Sequence, residues 1–519
     1  MELTANPDWY AVQALPVVGN PTEEDALSWA TAYYANSLAA AIVKANPRIK
    51  QVFDTWMAQG GSKETLLSNL ERNQDLKNLL LEETPWISEA TEESEQKRRI
   101  ALLFDLNSMD NRLRTSIERL QELQLSDGSW SWYKGMTGSR YITTQIVEML
   151  ARLQHMNVTL DGKVAPMYTR ALGYLQKAVK EDYETMKKLE KEGATTLVPN
   201  SQVVHYLYVC ALDKQAALLA DKQVNAYMTD RLENRSAEYS IVEKAMIGLI
   251  MQADGRQRQA QELVQSIKEY TVSTPQMGVY FDTPKAPYSW NNYRIPAQVA
   301  AMEAIQQIAP DADMLAGMKL WLLKQKQVQV WESSIATADA VYAFLNGSGN
   351  RLQVNGTMKA VAGNVEVRTP DDVLGYTRKT LTGTDTHVER VVVSKSGTGI
   401  GWGAVYAQYL EEMDKVLPAK GNGVSVAREW WMDGKQISRK TVLHAGDKMT
   451  VRLTVKADRD MDFIRVKDER AACMEPDTQL SGYRWSNGVG YYQVNRDAST
   501  EFFIDRMPKG TYTLEYEVY

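Results

Sequence analysis

Gln124-Leu125-Ser126-Asp127-Gly128-Ser129-Trp130-Ser131-Trp132 is the most specific architectural signal in the chain. Ser126-Asp127-Gly128 is turn chemistry, and Gly128 permits a tight backbone there. A helix is expected to follow, beginning near Ser139. Trp130 and Trp132 are large amphipathic rings that can wedge between neighbouring helical hairpins. Gln124, Asp127, Gly128, Trp130 and Trp132 are therefore read as a structural turn with a packing role.

Around this turn, residues 22 to about 345 read as helix after helix. Thr22 ahead of Glu23, Glu24 and Asp25 reads as a helix start, a capping hydroxyl followed by acids at the positive end of the dipole. Leu27, Ala30, Tyr34, Leu38 and Ile42 then recur on one face, and Pro47 ends that helix. Similar stripes run through Ile142, Ile146, Met149 and Leu153, and through Val299, Met302 and Ile305. Turn clusters such as Pro199-Asn200-Ser201 separate roughly a dozen helices in hairpin-like pairs, which suggests a helical array or a closed α/α toroid. After Gly349 the period changes to two. Met449, Val451, Leu453 and Val455 alternate with polar partners, as do Tyr512, Leu514, Tyr516 and Val518. Val391-Val392-Val393 and Trp402–Tyr409 read as further strands, with turns at Gly446-Asp447, Asn487-Gly488 and Pro508-Lys509-Gly510. The fold class is α then β, multi-domain: a toroid of helical hairpins followed by β-sandwich domains.

Composition narrows the function classes. A net charge of -6 over 519 residues argues against nucleic acid, whose phosphates demand basic surface. No apolar run reaches the roughly 18–20 residues that span a bilayer. The first residues, Met1 to Pro7, have neither a basic nor an apolar region, so a secretion signal is not expected in this sequence. Cys210 and Cys473 are too few and too far apart for a disulfide framework or a zinc site.

The sequence carries few groups arranged for catalysis. The four histidines, His155, His205, His387 and His444, form no metal-ligand spacing, and no metal or cofactor is expected. There is no nucleophile elbow and no phosphate loop. Gly397-Thr398-Gly399-Ile400-Gly401-Trp402-Gly403 is flanked by strands, where a dinucleotide loop would have to open a helix. Glu23 and Glu24 are adjacent and point about 100° apart on a helix, so capping is a better account than an acid–base pair. The chain reads as a non-enzyme.

The turn at Gln124–Trp132 is similar to one carried by α/α toroids, both terpenoid cyclases and macroglobulin thioester domains. Trp130-Ser131-Trp132 followed by Gly135, Gly138 and Tyr141-Ile142-Thr143-Thr144 resembles a segment of the bacterial α2-macroglobulin family. Leu81-Glu82-Glu83-Thr84-Pro85-Trp86 and Glu95 through Phe104 resemble its Bacteroidetes-type members. Phe503-Ile504-Asp505-Arg506-Met507-Pro508-Lys509-Gly510-Thr511-Tyr512 resembles the ending of the last macroglobulin-like β-domain, and Arg465-Val466-Lys467-Asp468 up to Met474-Glu475-Pro476 resembles the stretch before it. The resemblance covers essentially the whole chain. It implies an extended lead-in over residues 1–20, an α/α toroid of the thioester type over 21–348, a CUB-like β segment over 349–418 and a macroglobulin-like β-sandwich over 419–519.

Thioester members of that family carry Cys-x-Glu-Gln at the start of the first toroid helix, where a thiolate and an amide three positions apart share a face and condense. At the matching place this chain has Pro21, Thr22, Glu23 and Glu24, so no thioester can form. Cys473-Met474-Glu475-Pro476 begins like the motif but offers no acyl group. The resemblance implies the C-terminal portion of a broad-spectrum endopeptidase inhibitor that traps proteases by conformational collapse, here without a covalent bond. Its partners would be proteases, met through the full-length parent, and upstream macroglobulin-like domains of the same chain. The location implied is periplasmic, cell-surface or extracellular. In related proteins aromatic side chains of the last β-domain cover the thioester site, a role that would fall here to Tyr483, Trp485, Tyr491 or Tyr492. Two other readings compete. A toroid polysaccharide lyase would need a Tyr/His pair beside an arginine in a cleft, and a cell-envelope scaffold module would need no site at all.

Overall fold

A mainly helical region precedes the larger sheets, as the change of period predicts, with one short strand and two short hairpins set among the helices. The computed structural model describes residues 1–45, 106–232, 239–282, 294–346, 356–405 and 423–519, apart from positions 7, 22, 276, 326–330, 332, 370–374, 380, 382–387, 398–399, 439, 459–460 and 472. The chain divides into two compact units, residues 1–286 with 295–409 and residues 410–519 with 287–294.

The first unit opens with strand β1 (Glu2–Thr4) and helices α1 (Trp9–Val18), α2 (Ala26–Ala45) and α3 (Leu106–Leu123). A short hairpin of β2 (Trp130–Ser131) and β3 (Gly138–Ser139) leads into α4 (Arg140–His155), α5 (Val164–Lys191), α6 (Ser201–Leu212), α7 (Lys214–Leu219), α8 (Lys222–Leu232), α9 (Ile241–Ala253) and α10 (Gln257–Lys268). A second hairpin, β4 (Thr271–Thr274) and β5 (Gly278–Phe281), precedes α11 (Arg294–Ile308), α12 (Ala312–Gln325) and α13 (Ser334–Leu345).

Two kinds of helix alternate. In α10 only Ala260, Leu263, Val264 and Ile267 are buried, the single stripe of a helix with one wet face. By contrast α9 buries Ile241, Lys244–Met251 without a gap, and α13 buries Ala336–Phe344. Helices apolar all round belong inside. These inner helices meet one another: α2 packs on α4, α4 on α6, α6 on α9, and α13 on α2. Gly248 of α9 faces Ile308 of α11, and Tyr342 of α13 donates to Glu303 of α11 at 2.6 Å. The inner layer therefore closes a ring, with the one-sided helices outside it.

After the ring come β6 (Met358–Ala362), β7 (Val365–Arg368), β8 (Tyr376–Arg378), β9 (Val391–Lys395) and β10 (Trp402–Ala404). They form two antiparallel sheets, in the orders β7-β6-β9 and β10-β1-β8. The extended lead-in expected for residues 1–20 needs correction. Glu2–Thr4 is the central strand of the second sheet, Leu3 and Ala5 share a core with Met358, Ala360 and Val367, and Trp9–Val18 is helical. Three residues are too few to display a period of two, and a helix apolar at every position but Gln13 displays no stripe.

The second unit contains β11 (Val424–Met432), β12 (Lys435–Gln436), β13 (Met449–Ala457), β14 (Met461–Glu469), β15 (Gly482–Ser486), β16 (Val489–Asn495), β17 (Ser499–Met507) and β18 (Gly510–Val518). Two antiparallel sheets, β12-β11-β13-β18 and β14-β17-β16-β15, bury Val451, Leu453 and Leu514 against Phe502 and Ile504. Asn487 and Gly488 both take positive φ (49° and 82°), the requirement of a tight hairpin turn between β15 and β16. The turn between β17 and β18 is tied by the Tyr512 hydroxyl, which donates to Pro508 O at 2.7 Å. Tyr516 likewise donates to Asp468 at 2.7 Å. The motif residues near the C-terminus thus have structural work.

Leu514→Ala, at a fully buried site, is expected to cost about 2–5 kcal/mol. The check is a lower denaturant midpoint for the β-sandwich transition with an unchanged slope.

Candidate functional site

The corner at residues 21–24 precedes a helix and does not lie on one. Pro21 and Glu23 are half-buried, Glu24 is exposed, and Thr22 lies outside the described residues. Helix α2 begins at Ala26, and its cap is Asp25. Asp25 Oδ1 accepts from Leu27 N and Ser28 N, both at 3.0 Å, and Oδ2 accepts from Ser28 Oγ at 2.7 Å. The helix start expected at Thr22 is corrected accordingly. Aspartate caps as well as threonine, and here Ser28 gives its second oxygen a partner. The other side of the corner is pinned by Asn36, buried in α2, whose Nδ2 donates to Gly19 O at 2.8 Å.

The tryptophan turn lies beside this corner: Ala26 N donates to Trp132 O at 2.9 Å. Trp130 is fully buried, its indole N–H donating to Leu120 O (2.9 Å) at the end of α3 and its backbone N–H to Thr143 Oγ1 (2.8 Å) in the first turn of α4. Gln124 Nε2 donates to Gly128 O (3.1 Å) and Met167 O (2.8 Å). Asp127 accepts from Ser129 N (2.9 Å) and Ser129 Oγ (2.6 Å), and that hydroxyl holds its carboxyl below the usual range. Gly128 has φ +91°, and a Cβ there would stand 2.4 Å from Arg170 O. The same construction recurs at Trp331, which sequence reading missed. Its indole donates to Leu322 O (2.8 Å), its backbone N–H to Thr337 Oγ1 (3.1 Å), and Ser333 caps the helix that follows.

The four aromatics of the C-terminal sandwich divide. On edge strand β15, Tyr483 and Trp485 are 52% and 75% exposed. Tyr491 belongs to the sandwich core, edge-on to Phe502, while Tyr492 packs edge-on to Tyr483 at 4.9 Å. Consecutive residues on a strand point to opposite faces, so Tyr491 and Tyr492 cannot share one surface.

A second constellation, which the sequence reading did not assemble, lies inside the ring. Arg152 of α4 is 4% exposed. Its Nη2 pairs with Glu148 Oε1 at 2.6 Å, and its Nη1 pairs with Asp339 Oδ1 of α13. His205 Nε2 of α6 donates to Glu148 Oε2 at 2.5 Å. Glu303 of α11 accepts from Tyr208 of α6 and Tyr342 of α13, each at 2.6 Å, and from Gln307 Nε2 at 3.1 Å. Burial pushes the Glu148 carboxyl up, but the Arg152 charge and then His205 outweigh it and hold the group at about 2. Burial dominates at Asp339 and pushes it up to about 6. The Tyr208 and Tyr342 hydroxyls are driven far above the ordinary phenol value, first by burial and then by Glu303. One signal was available in the sequence: Glu148 and Arg152 interrupt a run of apolar residues, four positions apart on one face.

Both cysteines are free thiols. Cys210 is pushed up to about 11 by burial, and Cys473 is exposed. No helix among the described residues is long and apolar enough to cross a membrane, and no group of three or more potential metal ligands occurs among them.

Comparison with known proteins points one way. Residues 423–519 match the family model described as the bacterial alpha-2-macroglobulin MG10 domain. An alpha-2-macroglobulin homolog of Nostoc sp. is 22% identical over 442 residues, which is 78% of this chain and 22% of that protein. A Salmonella alpha-2-macroglobulin mutant aligns with 100% of this chain and 29% of its own, at 13% identity and a TM-score of 0.56. Native Escherichia coli alpha-2-macroglobulin, from domain MG7 to the C-terminus, aligns with 100% of this chain and 71% of its own, at 14% identity and a TM-score of 0.53. The chain thus spans less than a third of the curated relative and of the Salmonella protein. The resemblance to bacterial α2-macroglobulins read from the sequence holds, and so does the order of a helical toroid followed by β-domains.

Gly128→Ala is expected to destabilise the helical unit by more than about 2 kcal/mol, because both φ and the Arg170 carbonyl forbid the methyl. Gly173→Ala, in α5 with open space around it, is expected to be neutral or stabilising by up to about 1 kcal/mol. Thermal melts of the helix signal check the contrast.

Proposed function

We propose that this chain is the C-terminal part of a bacterial α2-macroglobulin-like endopeptidase inhibitor that works without a thioester. The observation that carries the proposal is a pairing: an MG10-type domain over residues 423–519, and no Cys-x-Glu-Gln anywhere in the 519 residues. Proline at position 21 supplies no nucleophile, and Glu24 supplies a carboxylate where condensation would need an amide. The domain boundaries implied by the resemblance, near residues 20, 348 and 418, belong to this proposal.

Capture on this reading is steric. Cleavage of a bait region in the upstream part of the parent chain releases a rearrangement, and the helical ring acts as a rigid body carried with it. The ring suits that role because its inner layer is closed and its turns are stitched to both flanking helices. Of the aromatics assigned to cover the Pro21–Glu24 corner, Tyr483 and Trp485 carry the proposal, since Tyr491 is committed to its own core. On this reading the protein works in the periplasm, at the cell surface or outside the cell, where it meets incoming proteases.

A polysaccharide lyase is a poorer account of the same residues. Arg152 is matched by Glu148 and Asp339, and Tyr208 donates to Glu303, so neither a charge nor a phenolate is left to neutralise and deprotonate a uronate.

The test uses the full-length parent protein. Incubation with several endopeptidases is expected to give bait cleavage, compaction on a sizing column and retained protease that denaturant releases completely. Methylamine is expected to change neither mobility nor the number of titratable thiols. A protease adduct that survives denaturant, or a thiol released by methylamine, would disprove the non-covalent reading. Cleavage without compaction or retention would favour a scaffold role.

A further inference from the structure

We propose that the polar network inside the helical ring is a proton-binding site, in which Asp339 takes up a proton from solvent and so relieves an excess of buried negative charge around Arg152. Glu148, Glu303 and Asp339 are all buried, at 5%, 4% and 7% exposure, and Arg152 is the guanidinium they share. Three carboxylates facing one cation leave two negative charges where water is scarce, and burial of unmatched charge is met by protonation.

Hydrogen bonding decides which carboxyl yields. Both oxygens of Glu303 accept tyrosine hydroxyls, and Glu303 also accepts from Gln307. Both oxygens of Glu148 accept donors, one from Arg152 and one from His205. Neither carboxyl has an oxygen free of donors, so a proton on either would compete with a hydrogen bond already made. Asp339 is engaged through Oδ1 alone, and among the described residues its Oδ2 accepts nothing. That oxygen can carry a proton without displacing a donor. The other groups facing the site do not compete. The hydroxyls of Tyr34 on α2, Tyr208 on α6 and Tyr342 on α13 are all raised far from neutrality by burial, and Arg152 stays charged. His205 faces the site from behind Glu148.

The sign follows from linkage. With its folded value near 6 and the ordinary aspartate value at about 3.9, Asp339 keeps a proton in the folded chain that the unfolded chain has already lost. The resulting stabilisation is full below the unfolded value and is lost as pH rises through the folded one. Glu148 works in the opposite sense, its contribution vanishing only as pH falls towards about 2, so it is constant across the upper window.

Thermal unfolding of the 519-residue chain, followed by its helix signal, is therefore expected to show a midpoint a few degrees lower at about pH 7.5 than at about pH 5. Asp339→Asn should flatten that dependence, whereas His205→Gln should keep it. Infrared spectra should show a carbonyl band of an un-ionised carboxyl that disappears between about pH 5 and pH 7.5 and is missing in Asp339→Asn. A slope that survives Asp339→Asn but vanishes in His205→Gln would move the proton to His205 and overturn the proposal. Should Asp339→Asn fail to fold, the infrared band of the unaltered chain decides, and its absence at about pH 5 overturns the proposal too.

Discussion

Arg152 is a full charge buried to 4% exposure inside a closed ring of helices, and the inner layer is arranged around that fact. A buried cation is tolerated only when paired and hydrogen-bonded, and removing one partner of such a pair typically costs about 3–5 kcal/mol. Here the partners come from its own helix and from α13, and through Glu148 the network reaches His205 of α6. Tyr208 and Tyr342 then join α6 and α13 to Glu303 of α11. Apolar packing between such helices tolerates sliding and rotation. The polar contacts do not, since each has one geometry. They fix how the inner helices face one another, while the apolar residues supply most of the burial.

The turns do the complementary task at the ends of the helices. At Trp130 and at Trp331 an indole N–H takes a carbonyl of the outer helix just finished, while the backbone N–H takes a threonine in the first turn of the inner helix about to start. Each turn thereby stitches an outer element to an inner one and fills the gap with a large ring. Since Ala26 N also donates to Trp132 O, the first of these turns fixes the start of α2 as well.

Legibility in the sequence followed the number of wet faces. Strands β13 and β18 have one buried face, and their alternation was plain in Met449–Val455 and Tyr512–Val518. The stripe of α4 was read correctly through Ile142, Ile146, Met149 and Leu153. The same stripe hid the network, because periodicity assigns Glu148 and Arg152 to solvent and cannot know that a ring closes over the second face. Glu303, beside Met302 and Ile305, was hidden in the same way. Helix α2 was found but its cap misplaced, since Thr22 and Asp25 offer equivalent chemistry and only Ser28 breaks the tie.

Strand β1 was beyond reach for a different reason: its partners are Thr377 and Gly403, at the far end of the ring in sequence. That pairing has a mechanical consequence. The ring is an insertion between the first strand of a β-sheet and the strands that flank it, so the chain enters and leaves the helices from one sheet. Helix α1 packs on both α2 and α13, the first and last inner helices, which also meet each other. The ring is thus closed by the two ends of its own chain, over the longest sequence separation and at the greatest entropic cost. The pair Arg152–Asp339 joins α4 to α13 across the same seam. The sheet that holds both chain ends and the buried ion pair therefore meet at one seam of the ring.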